Sequence, residues 1–484
     1  MLAGIFNNDY HLLYFVFTVE LPFIMLKKIS FALFSSGFAF YAPQLLAQPA
    51  PAAAEKYAYA APCESVQPES RRLKLLQAQL QAKPKQSAKI IEQFWQDIAQ
   101  QGTPLAEKID AQNSRIIFLW RGAAHNVRLI GGPSNDHEWL TRLPNTDIWF
   151  KEAIVDSRFM GSYSFAPDLP NVEGYLSNYC PHLNPELKES RAQRRAVLQV
   201  QKLDPFNPQT YLPLNDASGL RNENYTALEN APAFANPKDF PGMASPEVKS
   251  YTLDSKLLHN QRTVQIYQSK RTNPKQDYIT AIFFDGRQYA DLLDVPKALD
   301  ILVSQGKLPP IQAVFVSAPD DAQRPKELTP NAEFTAFFGQ ELLPWIDRHL
   351  PAERNKRKTV LLGSSLGGLS SAYLALKYPQ EISHAVPLSG SFWWQAQETD
   401  LPNGMSKIIR EQPHQPKQHW FISANSYESS RNNNGLSILE TSLVVAADLR
   451  AKGHDVAYKS YIGGHSYAIW QVTLQEALLH FFAE

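Results

Sequence analysis

The apolar positions of this chain change their period near residue 250. Before it, Leu73, Leu75, Leu76 and Leu80, then Ile90, Ile91, Phe94, Trp95 and Ile98, recur at steps of one, three or four. That spacing predicts helix over 70–100, and Gly102-Thr103-Pro104 ends it. Short runs rich in β-branched and aromatic residues follow at 115–120, at 126–130, around Trp149 and at 161–165, broken by Gly, Pro and Asn. They predict a small β-sandwich within 70–203. Residues 204–247 carry no period and are rich in Pro, Asn and Asp, which reads as a connection between domains.

After Ser250 strand-like runs alternate with helical ones. Candidate strands are 262–268, 278–284, 311–318, 358–363, 384–389, 418–424 and 455–462; helical stretches are 333–350, 367–378, 437–452 and 468–483. Ile282-Phe283-Phe284 and Val314-Phe315-Val316 are uninterrupted apolar triplets, as in central strands covered on both faces. The alternation predicts a mostly parallel sheet with flanking helices over 248–484. No internal repeat is present.

Composition narrows the function classes. Lys+Arg and Asp+Glu both number 47, so no net charge draws the chain to nucleic acid, and no basic run marks a nucleic-acid arm. Two cysteines exclude a disulfide scaffold and a cysteine-rich zinc site. Near the start, Lys27-Lys28 precede a short apolar run, 29–40, and then Gln44-Leu45-Leu46-Ala47. That is the layout of a secretory signal. A membrane anchor is the alternative, but the run is shorter than the ~20 residues a spanning helix needs. Met25 is then the expected true start, with 1–47 the signal region and 48–69 a flexible tail. The expected location is the periplasm of a Gram-negative cell, with no stable membrane anchor after cleavage. In that oxidising compartment Cys63 and Cys180 either pair or remain two unrelated thiols.

The chemistry centres on Gly363-Ser364-Ser365-Leu366-Gly367-Gly368. A strand, 359–362, precedes it and a helix follows it at once, which is the setting of a nucleophile elbow. Ser365 is therefore the candidate nucleophile of an α/β-hydrolase-type esterase. His465, in Gly463-Gly464-His465 between the last strand and the last helix, is its candidate base, because this fold places the histidine last in chain order. The acid should follow the strand 418–424. Glu428 stands there, either orienting His465 or binding substrate or Arg431 and leaving a dyad; Asp455 is the weaker choice and Asn425 carries no charge. An oxyanion hole needs two N–H groups. The amide of Leu366 is one; Gly286 lets the chain turn over the site, making the amide of Arg287 the second choice, with Gln288 next.

These residues, with others in the same order, resemble the enterochelin (enterobactin) esterase family. In the first half the resemblance rests on Gly102-Thr103-Pro104-Leu105, Phe118-Leu119-Trp120-Arg121, Val127-Arg128-Leu129, Thr146-Asp147-Ile148-Trp149, Gly161-Ser162-Tyr163 and Asp204-Pro205-Phe206-Asn207-Pro208. In the second it rests on Phe284-Asp285-Gly286, Arg324-Pro325-Lys326-Glu327-Leu328, Asn331-Ala332-Glu333-Phe334, Gln340-Glu341-Leu342-Leu343-Pro344, the elbow, Ser389-Gly390-Ser391-Phe392-Trp393-Trp394 and Gly463-Gly464-His465. The resemblance implies an immunoglobulin-like β domain beside the hydrolase and a catecholate siderophore trilactone as substrate. It implies that Arg324 reaches the siderophore. Arg287 and Arg431 would add charge toward a trianionic ferric complex, and Trp394, Tyr467, Trp393 and Trp470 would stack on catechol rings, with core packing the alternative for the tryptophan pair. No cofactor is expected; iron enters only as part of the substrate. The family members with this β domain resemble cytoplasmic enzymes, and the signal departs from that. A feruloyl-type carbohydrate esterase and a non-catalytic siderophore-binding protein are the alternative functions.

Overall fold

The computed structural model describes residues 65–133, 138–170, 191–271, 273–394, 404–413, 415–429 and 437–483. The signal region, Cys63, Cys180 and Arg431 lie outside them. All the described residues fall within one unit, Glu55–Glu484.

The first helical stretch divides where Pro84 follows Lys83, giving helices Arg71–Ala82 and Ser87–Gln101. Ser70 caps the first, its side chain accepting from the Leu73 amide. Strands β1 (Leu105–Lys108), β2 (Asn113–Arg121), β3 (Val127–Gly131), β4 (Glu138–Trp139), β5 (Thr141–Arg142), β6 (Ile148–Asp156), β7 (Met160–Pro167) and β8 (Asn224–Ala227) make two four-stranded sheets, β1-β2-β6-β5 and β4-β3-β7-β8. Along β2 the side chains alternate. Ile117 and Leu119 join Phe94, Trp95 and Ile98 under the helices. Ile116 and Phe118 join Val127, Tyr163 and Phe165 between the sheets. Both faces of β2 are thus covered, which is why its sequence is an unbroken apolar run.

Part of the stretch expected to be a connection, 204–247, belongs to this β domain. β8 pairs antiparallel with β7. Buried Asp204 accepts hydrogen bonds from Thr103 Oγ1 and Tyr163 OH, each 2.8 Å. Asn224 Oδ1 receives the Asp204 amide at 2.7 Å. Polar residues here fill the interior by satisfying one another, so a reading based on apolar period could not see them.

The third sheet holds β9 (Val248–Ser255), β10 (Asn260–Gln268), β11 (Ile279–Phe284), β12 (Ile311–Val316), β13 (Thr359–Ser364), β14 (His384–Leu388), β15 (His419–Asn425) and β16 (Asp455–Tyr461). Their order is β16-β15-β14-β13-β11-β12-β10-β9. β9 and β10 join antiparallel at one edge, and β11 through β16 pair parallel. This is the α/β-hydrolase arrangement. Each expected strand is present; the edge strand β9 and the helices Val295–Ser304 and Gly404–Glu411 are additional. β9 is largely exposed and so lacks an apolar run. Side chains of the central strands split between two cores. Phe283, Leu362 and Phe421 pack under helix Tyr467–Phe482, whereas Ile282, Leu361 and Trp420 pack under helices Leu366–Lys377 and Ile438–Ala451. β13 and β11 lie side by side at the centre, so the loops that follow them meet at one end of the sheet. No helix among the described residues is long and apolar enough to cross a membrane.

Candidate active site

Ser365 follows β13 directly and opens helix Leu366–Lys377 with φ 57° and ψ −120°. That backbone is strained for a residue with a Cβ, and the packing around it holds the strain in place. The Ser365 amide donates to Leu388 O at 3.0 Å. A Cβ on Gly363 would stand 2.3 Å from Gly367 O, so strand and helix approach too closely for any side chain there. The turn aims the Ser365 hydroxyl out of the sheet, beside the first N–H groups of a helix, which have no intrahelical acceptor. The Leu366 amide is the first of these.

His465 reaches the same point from the loop after β16. Its Nε2 lies 2.9 Å from Ser365 Oγ and its Nδ1 2.7 Å from Glu428 Oε1. Glu428 is buried, and its Oε2 accepts the Asn425 amide at 2.7 Å and the Ser389 hydroxyl at 3.0 Å. An ionised carboxylate in that position accepts a hydrogen bond from the Nδ1–H of a neutral imidazole, which keeps its proton there. Nε2 is then left with a lone pair for the serine proton. The structure thus brings together Ser365, His465 and Glu428. Asp455 sits at the opposite end of β16 and pairs with His419 at 3.0 Å; Asn425 donates to Ser389 Oγ at 3.2 Å and Gly464 O at 3.0 Å.

Other expected residues differ in their surroundings. The Gln288 amide is used inside its own turn, donating to Asp285 O at 3.0 Å. The Arg287 amide donates to Ser317 Oγ at 3.1 Å, so to hold an oxyanion it must exchange that acceptor. Arg324 forks onto Asp285 at 2.6 and 2.7 Å. Burial alone would weaken its charge, but the Asp285 charge and hydrogen bonds outweigh it and raise the pKa. Arg287 lies 3.5 Å from Asp291. The two arginines do line one cavity of about 410 Å³, with Asp285, Gln288 and Ser317. Each comes with a carboxylate, so they are not the free positive charges expected.

Three of the aromatic residues named above make contacts within the protein. Trp394 is half-buried and packs against the core beneath helix Leu366–Lys377, which favours packing over stacking on a ligand. Trp470 is buried, edge-on to His465 at 4.8 Å, and its Nε1 donates to Ser389 Oγ at 2.9 Å. Tyr467 is half-buried, edge-on to Trp470 at 4.9 Å and to Tyr289 at 6.0 Å.

Ser389 was not singled out by sequence. It has φ 46° and is fully buried, and its hydroxyl joins Glu428, Asn425 and Trp470. The only sequence signal was its place in a family motif. Ser389→Gly relieves the backbone and removes the hydroxyl. We expect kcat to fall about ten-fold, the equivalent of roughly 1.4 kcal/mol, with KM nearly unchanged; an unaltered kcat would reduce Ser389 to a packing residue.

The β domain backs the histidine loop. The Met160 amide donates to Ile462 O at 3.0 Å, and a Cβ on Gly463 would meet Met160 O at 2.6 Å. Gly463 is therefore required by a close approach between β7 and this loop.

Two family models match the chain in order, "Enterochelin esterase, N-terminal" over residues 115–236 and "Putative esterase" over 255–481. The chain belongs to the enterochelin esterase family. An iron(III) enterobactin esterase of Dickeya dadantii is 28% identical over 413 residues, covering 78% of this chain and 90% of the relative. One from Yersinia enterocolitica is 29% identical over 343 residues, covering 66% and 91%. A ferric enterobactin esterase structure from Salmonella typhimurium has a TM-score of 0.65 at 22% identity, covering 80% of this chain and 98% of that one. That likeness is one of fold. In this enterochelin esterase family member the two matched regions include the β-domain strands β2–β8 and the site residues from Asp285 to His465.

Proposed function

We propose that this protein is a serine esterase that hydrolyses the ester bonds of a catecholate siderophore, an enterobactin-like trilactone. The observation that carries the reading is the hydrogen-bonded chain Ser365–His465–Glu428, at 2.9 and 2.7 Å, in a member of this family. It also favours an enzyme over a protein that only binds siderophore.

Ser365 Oγ attacks the ester carbonyl carbon as His465 Nε2 takes its proton. The carbonyl oxygen becomes an oxyanion held by the Leu366 amide and by the Arg287 amide, which leaves Ser317 for it. On collapse the carbon–oxygen ester bond breaks, and the departing seryl alkoxide takes the proton from His465. Water then gives a proton to His465 and attacks the acyl-enzyme, releasing a carboxylic acid and returning the proton to Ser365. Ring opening thus gives a linear chain, and further turns give dihydroxybenzoyl-serine. The chemistry calls for no resident metal; iron belongs to the substrate.

Export to the periplasm and a role in iron acquisition are part of the same proposal. The signal-like pattern from Lys27 to Ala47 supports the first, and a substrate built to hold Fe(III) supports the second. The test incubates purified protein with ferric and iron-free enterobactin and follows linear products by chromatography. Both trilactones surviving intact, beside a simple aryl ester that is cleaved, would exclude the substrate while keeping the esterase. Periplasmic release by osmotic shock checks the location.

A further inference from the structure

One turn along the last helix from Tyr467, Gln471 helps line a second cavity of about 280 Å³, which shares no lining residue with the one holding Arg287 and Arg324. One wall is Tyr211 and Tyr225, stacked with ring centroids 5.3 Å apart and planes 21° apart. Leu292 and Leu293, both buried, also line it. Lys297 also lines the cavity and is only 8% exposed. Among the described residues no carboxylate comes within ion-pair distance of its ammonium group. Lys238 stands exposed at the rim, 5.7 Å over the Tyr225 ring, and likewise has no such partner. The acidic member of the lining is Asp294, which acts on Lys297 from beyond ion-pair distance and is itself engaged by Ser245 Oγ at 3.1 Å.

The stem of Lys297 is buried while its ammonium has no ion-pair partner among the described residues, so an anion entering the cavity would meet it. Two lysines against one aspartate leave the lining itself one positive charge in excess, with Asp239 and Glu223 outside it acting on Tyr225 and Tyr211. That excess suits a monoanion better than a phosphate dianion. The stacked tyrosines and the leucines offer a flat apolar slot, and pockets of this make, apolar with a few fixed polar groups, hold small organic molecules. We propose that this cavity binds a small aromatic monocarboxylate. Its carboxylate pairs with Lys297 and Lys238, and its ring lies against the tyrosines. The site is independent of the chemistry at Ser365.

The test is calorimetric titration of the full chain with benzoate, in the wild type and in Lys297→Met, Lys238→Ala and Arg324→Met. The expected result is saturable binding of one benzoate per chain. It weakens at least ten-fold in Lys297→Met, weakens in Lys238→Ala, and is unchanged in Arg324→Met, whose side chain belongs to the other cavity. Benzamide, the uncharged isostere, should bind at least ten-fold more weakly than benzoate. Full-strength binding in folded Lys297→Met, loss in Arg324→Met, equal binding of benzamide, or no saturable binding by the wild type would each overturn the proposal. If Lys297→Met does not fold, Lys238→Ala and the benzamide comparison still decide it.

Discussion

Replacing Ser365 with Ala is expected to lower kcat for ester hydrolysis by about four orders of magnitude or more. The methyl group keeps the Cβ and so the same strained turn, with φ 57°. What is lost is the attacking oxygen, its 3.3 Å hydrogen bond with Ser391 Oγ and one hydrogen bond to His465, which is partly exposed to solvent and can bond to water instead. The fold and the affinity for an uncleaved ester should therefore be retained. The check measures turnover, melting temperature and binding of the intact substrate on the same preparation. A folded Ser365→Ala protein that still turns over at more than a per cent of the wild-type rate would mean that another group attacks the ester.

Glu428→Gln should also be strongly damaging, for a reason specific to this site. Glu428 Oε2 already accepts two donors, the Asn425 amide and the Ser389 hydroxyl, while Oε1 faces His465 Nδ1. A glutamine must put its NH₂ on one of those two sides. Turning it inward sets it against the Asn425 N–H and leaves buried donors unpaired, which costs about 1–3 kcal/mol. Turning it toward His465 makes Nδ1 an acceptor and puts the ring proton on Nε2. That nitrogen then cannot take the Ser365 proton. The second arrangement wins because it satisfies the buried groups. We expect kcat to fall about 10³–10⁴-fold, the order seen when a triad carboxylate becomes an amide, with KM little changed. Steady-state kinetics on a folded variant checks this. A loss below ten-fold would instead indicate that Ser365 and His465 suffice as a dyad.

The legibility of this fold followed from how each element is buried. β11, β13 and β15 are covered on both faces and announced themselves as apolar runs, whereas β9 at the edge and the polar interior around Asp204 and Asn224 did not. Ser365 and His465 were legible because the elbow is a local motif and the histidine has a fixed rank in chain order. Glu428 was left open between two roles because an acid is identified by what it touches.

The chain alone therefore determined the period of the elements, the parallel α/β sheet, the turn at Ser365 and the family. Those properties depend on neighbours a few residues apart and on motif order. Tertiary structure alone decided the rest. It joined Glu428 to His465 across 37 residues and Arg324 to Asp285 across 39. It also moved Trp394 into packing, placed Ser389 and Trp470 behind His465, and set β7 against Gly463. Hydrogen bonds and charge pairs act over a few ångströms of space, and only the order of strands in the sheet brings distant residues within that reach.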